Sequence, residues 1–86
     1  MNQAIQFPDR EEWDVMTGKV RFPVLINGML AHCVISDRLL YKRYGMGAEP
    51  LALFQTHRWD IEEEFEVLIA QDLLDNGNDY SLPDDK

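Results

Sequence analysis

The chain holds a single cysteine, Cys33, so no internal disulfide can brace it. A reducing, cytoplasmic setting is the simplest expectation. No uninterrupted apolar run approaches the ~20 residues that a membrane-spanning helix needs. The opening Met1-Asn2-Gln3-Ala4-Ile5-Gln6 lacks the basic-then-apolar order of a signal peptide. No membrane association is therefore expected. The sequence also lacks a phosphate loop, a GxGxxG turn, a CxxC pair and a GxSxG elbow, the commonest local signatures of nucleotide, redox and hydrolase chemistry. Neither Glu-x-x-His nor a calcium-loop spacing occurs, so no metal is expected and no cofactor is implied. Cations are scarce late in the chain. Residues 60–86 carry one Lys against ten Asp/Glu, whereas residues 1–59 carry seven Lys/Arg against six Asp/Glu. The formal net charge of −8 is thus concentrated at one end. That polarity suits a solvated acidic face, or a partner of opposite charge.

What is present is enough for one domain. With 86 residues and 45% apolar composition, the chain can form one modest core. The clearest local signal is Asn27-Gly28, the preferred pair for a two-residue hairpin turn. It separates the runs 19–26 and 29–35. If that turn forms, Phe22 lies opposite Cys33, Val20 opposite Ile35, Val24 opposite Ala31 and Ile26 opposite Met29, all on one apolar face. A slip of one residue would scramble this segregation. Pro23 falls where its missing N–H points away from the hairpin partner, and it argues against a third strand pairing at that spot.

Before the hairpin, Ile5 and Phe7 read as a short strand stopped by Pro8-Asp9. Asp9 with Glu12 suggests a capped helical turn, Trp13 is expected to fold back on the core, and Thr17-Gly18 is a turn. After the hairpin, Ser36 is placed to cap a short helix that Gly45 can end. The longest periodic stretch, Glu49 to Asp75, reads as a single helix with Pro50 in its first turn and Gly77 beyond its end. Leu51, Phe54, Ile61, Phe65, Leu68 and Ile69 recur on one face of it. Asn76-Gly77-Asn78 then turns the chain, Asp79–Leu82 suggests a further strand, and 83–86 read as a disordered tail. The expected architecture is a single α+β domain: an antiparallel sheet built on the 19–35 hairpin, with one short and one long helix on one face.

Several stretches together resemble the YrdB-like family of small bacterial proteins. They are MNQAIQFPDREEWD at 1–14, FP at 22–23, NGM at 27–29, Cys33 with Ile35-Ser36, and HRWD followed by EEE at 57–64. The resemblance covers residues 1–69. It implies an α+β fold and a cytosolic bacterial setting, and it carries over no catalytic or ligand residue.

Candidate functional residues are few. Cys33 sits on the apolar hairpin face, where a thiol is a small core side chain rather than a nucleophile. His32 lies on the opposite face, which makes a Cys33–His32 dyad geometrically poor. His57 and Arg58 flank the apolar stripe of the long helix, where each can bond a carbonyl or an acid at the core edge. Trp59 points away from that stripe, roughly with Val67, and indole is enriched at binding hot spots. These four residues, Trp59, Val67, Arg58 and His57, form the expected partner-binding surface of a non-enzymatic module, with an unidentified protein as partner. The alternative is a nucleic-acid-binding regulator that uses the helix–turn–helix outline at 37–58. Asp60, Glu62, Glu63, Glu64 and Glu66 disfavour it, because they begin within the screening length of Arg58 and would repel phosphates.

Overall fold

The computed structural model describes residues 4–71 and 79–82. The turn expected at Asn76-Gly77-Asn78, the stop at Gly77, the helix expected across 72–75 and the tail at 83–86 lie outside the described residues.

The hairpin forms as its sequence dictates. Strands β3 (Lys19–Ile26) and β4 (Met29–Ser36), so numbered because two shorter strands precede them, pair in the expected register, with Phe22 opposite Cys33 and Val20 opposite Ile35. Asn27 and Gly28 both adopt positive φ, 53° and 84°, which a mirror-image two-residue turn requires. Asn27 also anchors the start of the described chain. Its N–H donates to the Ala4 carbonyl at 2.8 Å, and its Oδ1 accepts from the Ala4 N–H at 3.0 Å.

The outer edge of β3 is shared by two short strands. The first, β1 (Ile5–Gln6), pairs with Ile26 and Leu25; the second, β2 (Glu12–Asp14), pairs with Arg21, Val20 and Lys19. Pro23 sits in the gap between them, where its ring offers no donor. The helical turn expected near Asp9 and Glu12 does not form. Glu12 instead extends into β2, which takes the open edge of β3 opposite Arg21, Val20 and Lys19, and Trp13, expected on the core, stays partly exposed at its margin. Strand β5 (Tyr80–Ser81) adds to the far edge of β4, parallel to it, so the sheet is mostly rather than wholly antiparallel.

Among the described residues, three helices cover one face. Helix α1 (Asp37–Tyr44) begins at Ser36, whose Oγ accepts the Leu39 N–H at 3.1 Å, and ends at Gly45 with φ 85°. The long helix expected from Glu49 is two helices, α2 (Pro50–Thr56) and α3 (Arg58–Ala70), with His57 at the joint. His57 leaves helical geometry at φ −108°, ψ 24°. The bonds from His57 N–H to the Leu53 carbonyl and from Ile61 N–H to the His57 carbonyl, both 3.1 Å, keep the two pieces nearly in phase. Phe54, Ile61, Phe65 and Ile69 therefore all remain buried, as one face of a continuous helix would have them.

The core lies between the helices and the β3–β4 face. Phe22 is its centre, with ring centroids 4.6 Å from Phe54, 5.0 Å from Phe65 and 6.1 Å from Phe7. Cys33, opposite Phe22, has no exposed surface, and burial pushes its thiol pKa well up, with the Asp79 charge adding to the effect. Native protein is expected to leave Cys33 unlabelled by a thiol reagent until denaturant is added, and rapid labelling would contradict this packing. Cys33→Ser should cost about 1–3 kcal/mol, since a hydroxyl would replace the thiol in an apolar site.

Candidate functional site

The helix joint gathers all the expected surface residues except Val67, and it divides them into two groups. His57 and Arg58 are bound into the fold. The His57 ring stacks on Tyr44 of α1, with centroids 3.7 Å apart and planes 4° from parallel. Arg58 turns back to the start of the chain. Its Nε donates to Glu62 at 2.5 Å and its Nη1 to Glu11 at 2.5 Å. Its Nη2 reaches the Pro8 carbonyl at 3.0 Å, the Phe7 carbonyl at 3.3 Å and the Asp9 carboxylate at 3.2 Å. The guanidinium also lies 5.5 Å from the Phe54 ring centroid. All three nitrogens of the planar fork thus have acceptors.

The two acids bonded most closely to Arg58 respond in opposite ways. Burial alone would push the Glu11 carboxyl up. Hydrogen bonds from Arg58, its own backbone and Gln55, with the Arg58 charge, hold it below the usual range instead. For Glu62 burial prevails over the charge and hydrogen bond of Arg58, and repulsion from Asp9 and Glu66 adds to it, so its pKa is raised. Arg58 itself is held in the charged form: burial opposes the charge, but Glu11 and Glu62 outweigh it.

Trp59 and Val67 are the second group. The Trp59 side chain is 84% exposed, the most exposed aromatic among the described residues, and Val67 is also exposed. Neither the N-terminal segment nor β5 covers the indole. Beside it lies an open cleft of about 430 Å³ lined by Gln55, Thr56, His57, Arg58, Trp59 and Asp60. Trp59, Glu63 and Glu66 follow one another at steps of four and three, so the indole heads an acidic helix face. Val67 stands on the flank of that face.

The same geometry bears on the helix–turn–helix outline. Gln55 donates to Glu11 at 3.1 Å, and Arg58 is neutralised by carboxylates. Arg43 makes a two-pronged pair with Glu64, its Nη2 donating at 2.8 Å. Of the side chains that a recognition helix would offer, Thr56 is exposed, and Arg58 two residues on is held by carboxylates. Among the described residues there is no group of three His, Cys, Asp or Glu side chains able to hold a metal ion. Nor is any helix there long and apolar enough to cross a membrane.

The family model for proteins of unknown function named DUF1488 matches residues 5–82. The chain belongs to the DUF1488 family. The match runs past residue 69 to include β5, so the C-terminal strand is part of what DUF1488 members share. The chain is 52% identical to the uncharacterised protein YrdB of Escherichia coli (strain K12), and 51% identical to that of Shigella flexneri. Each alignment covers 96% of this chain and all of the relative. A DUF1488 protein of unknown function from Shewanella loihica PV-4, known from a crystal structure, has the same fold. It is 31% identical, with a TM-score of 0.87 over 95% of this chain and 94% of that one.

Sequence reasoning placed Arg58 at the core edge but could not name its partners. Asp9 and Glu11 lie almost fifty residues away, and nothing local ties them to the helix. The charge alternation Asp9-Arg10-Glu11-Glu12 was the available signal. Only the path of the chain around Pro23 tells which of those acids turn inward.

Proposed function

We propose that the protein is a non-enzymatic cytoplasmic module that binds another protein through Trp59 and the flanking Val67. The observation that carries this reading is the 84% exposure of Trp59 at a joint whose adjacent residues are immobilised. Arg58 and His57 hold the backbone on its N-terminal side through the carboxylate network and the Tyr44 stack. The indole is therefore presented by a pre-ordered backbone, which lowers the entropic cost of docking. Asp60, Glu63 and Glu66 surround it with negative charge and favour a partner surface with basic residues at the rim. His57 and Arg58 act in this reading as supports for the contact, not as groups that touch the partner.

The test is crosslinked capture by wild type and by Trp59→Ala, followed by affinity measurement with the partner recovered. Truncating a central indole should weaken that complex by about thirtyfold or more. Stability should change by no more than about 0.5 kcal/mol, as for other exposed positions. A partner retained equally by both proteins would refute the assignment of Trp59.

A further inference from the structure

A second cleft, at the opposite end of α2 from Trp59, has a different chemistry. It has a volume of about 240 Å³ and is lined by Trp13, Asp37, Tyr41, Glu49, Pro50 and Leu51. Three elements and the N-cap of one of them build it. Trp13 comes from β2, on the same side of the sheet as the helices, because it pairs with inward-facing Val20. Asp37 and Tyr41 are four residues apart on α1 and share a face. Glu49 precedes α2, and Pro50 and Leu51 open it.

The lining combines two aromatic rings, two carboxylates and an aliphatic floor, with no Lys, Arg or His. Neither carboxylate is engaged among the described residues. Asp37 and Glu49 make no side-chain hydrogen bond or ion pair there, and Glu49 does not cap α2 although it stands at the cap position. Arg38 and Lys42 neighbour Asp37 and Tyr41 in sequence but do not line the cleft. Trp13 is 36% exposed, so one part of its ring remains open to a ligand.

We propose that this cleft binds an organic cation, an ammonium or guanidinium head carried on an apolar stem. Aromatic faces attract such cations through their quadrupoles, and adjacent carboxylates add direct charge. A metal ion or inorganic cation would find two carboxylates but no use for the rings. A neutral apolar group would leave both carboxylates without compensation. The volume falls below the usual range for drug-sized ligands, so it suits one head group rather than a large molecule. The site does not involve Trp59, and its assignment stands or falls separately from the reading above.

The experiment is a titration followed by the two indole N–H signals in ¹H–¹⁵N spectra, with Trp13 assigned by the signal that remains in Trp59→Phe. Four probes are added at constant ionic strength. Choline and Nα-acetyl-arginine amide carry the cation. Their neutral isosteres, 3,3-dimethylbutanol and Nα-acetyl-citrulline amide, do not. The Trp13 signal should move saturably with at least one cation, with a Kd on the order of 1 mM for an isolated head group. The tighter of the two cations distinguishes a free alkylammonium from a basic side chain of a protein. In Asp37→Asn with Glu49→Gln the affinity should fall about tenfold, while the rest of the spectrum reports an intact fold. Equal binding of a neutral isostere, no saturable shift with either cation, or unchanged affinity in the double variant would each overturn the proposal.

Discussion

Phe22→Ala is expected to cost about 3–5 kcal/mol, the range for emptying a fully buried aromatic site. The side chain has no exposed surface, and its three ring neighbours, Phe54, Phe65 and Phe7, join β3 to α2, α3 and the N-terminal segment. Ring pairs of this kind contribute about 0.5–1.5 kcal/mol beyond area burial. A domain of ordinary stability has only about 5–15 kcal/mol in hand. The variant should therefore unfold at much lower urea concentration, and a marginal wild type would lose its native population at 25 °C. Glu63→Ala, on the exposed face of α3, serves as the reference and should fall within about 0.5 kcal/mol. Equal midpoints for the two variants would place the core elsewhere.

Arg58→Ala should be the second large effect, about 3 kcal/mol near neutral pH, because it strands acids that are partly removed from water. The side chains of Arg58, Glu11 and Glu62 are only 15%, 11% and 18% exposed. Asp9 is mostly solvated, so its share is small. The deficit should depend on pH. At neutral pH the variant holds Glu11 and Glu62 charged without a counterion; once both are protonated, that part of the penalty disappears. Urea midpoints of wild type and variant should converge as pH falls through the folded pKa of Glu11, which lies below its ordinary value. In the wild type the two acids act in different windows. Glu11, held below its ordinary value of 4.5, contributes stability that is present above that value and lost as pH falls through its folded pKa. Glu62, raised above 4.5, does the reverse: its contribution is present below that value and lost as pH rises through its folded pKa. A pH-independent deficit for Arg58→Ala would mean that lost packing on Phe54, rather than charge, is what the arginine supplies.

The parts of the fold legible in the sequence are those set by local rules. Asn27-Gly28 fixed one turn type, and the apolar alternation on both sides admitted one register. Ser36 and Gly45 mark α1 because a hydroxyl and a positive-φ glycine serve its two ends. The break at His57 was not legible. No proline or glycine stands there, and the apolar phase of Phe54, Ile61 and Phe65 continues through it. What opens the joint is tertiary: the Tyr44 ring takes the imidazole, and Asp9 and Glu11 take the guanidinium. Strand β2 was missed for a similar reason. Asp9 and Glu12 have the spacing of a capping pair, but β3 offers an open edge on either side of Pro23. Trp59 was legible as an off-stripe aromatic. Its exposure could be known only once the N-terminal segment and β5 had been seen to lie elsewhere.

Dividing the long helix at His57 also decides when the chain can fold. The three helices span 8, 7 and 13 residues. Isolated helices shorter than about 12–15 residues are marginal in water, and a lone hairpin fares no better. Neither the hairpin nor any of the described helices is therefore expected to hold its shape alone. During synthesis the hairpin and α1 emerge first, yet the rings that seat Phe22 arrive with Phe54 and Phe65. Tyr80, which closes the core beside Cys33, arrives later still. Order in this domain is therefore expected to come as one late event, after most of the polypeptide has left the ribosome.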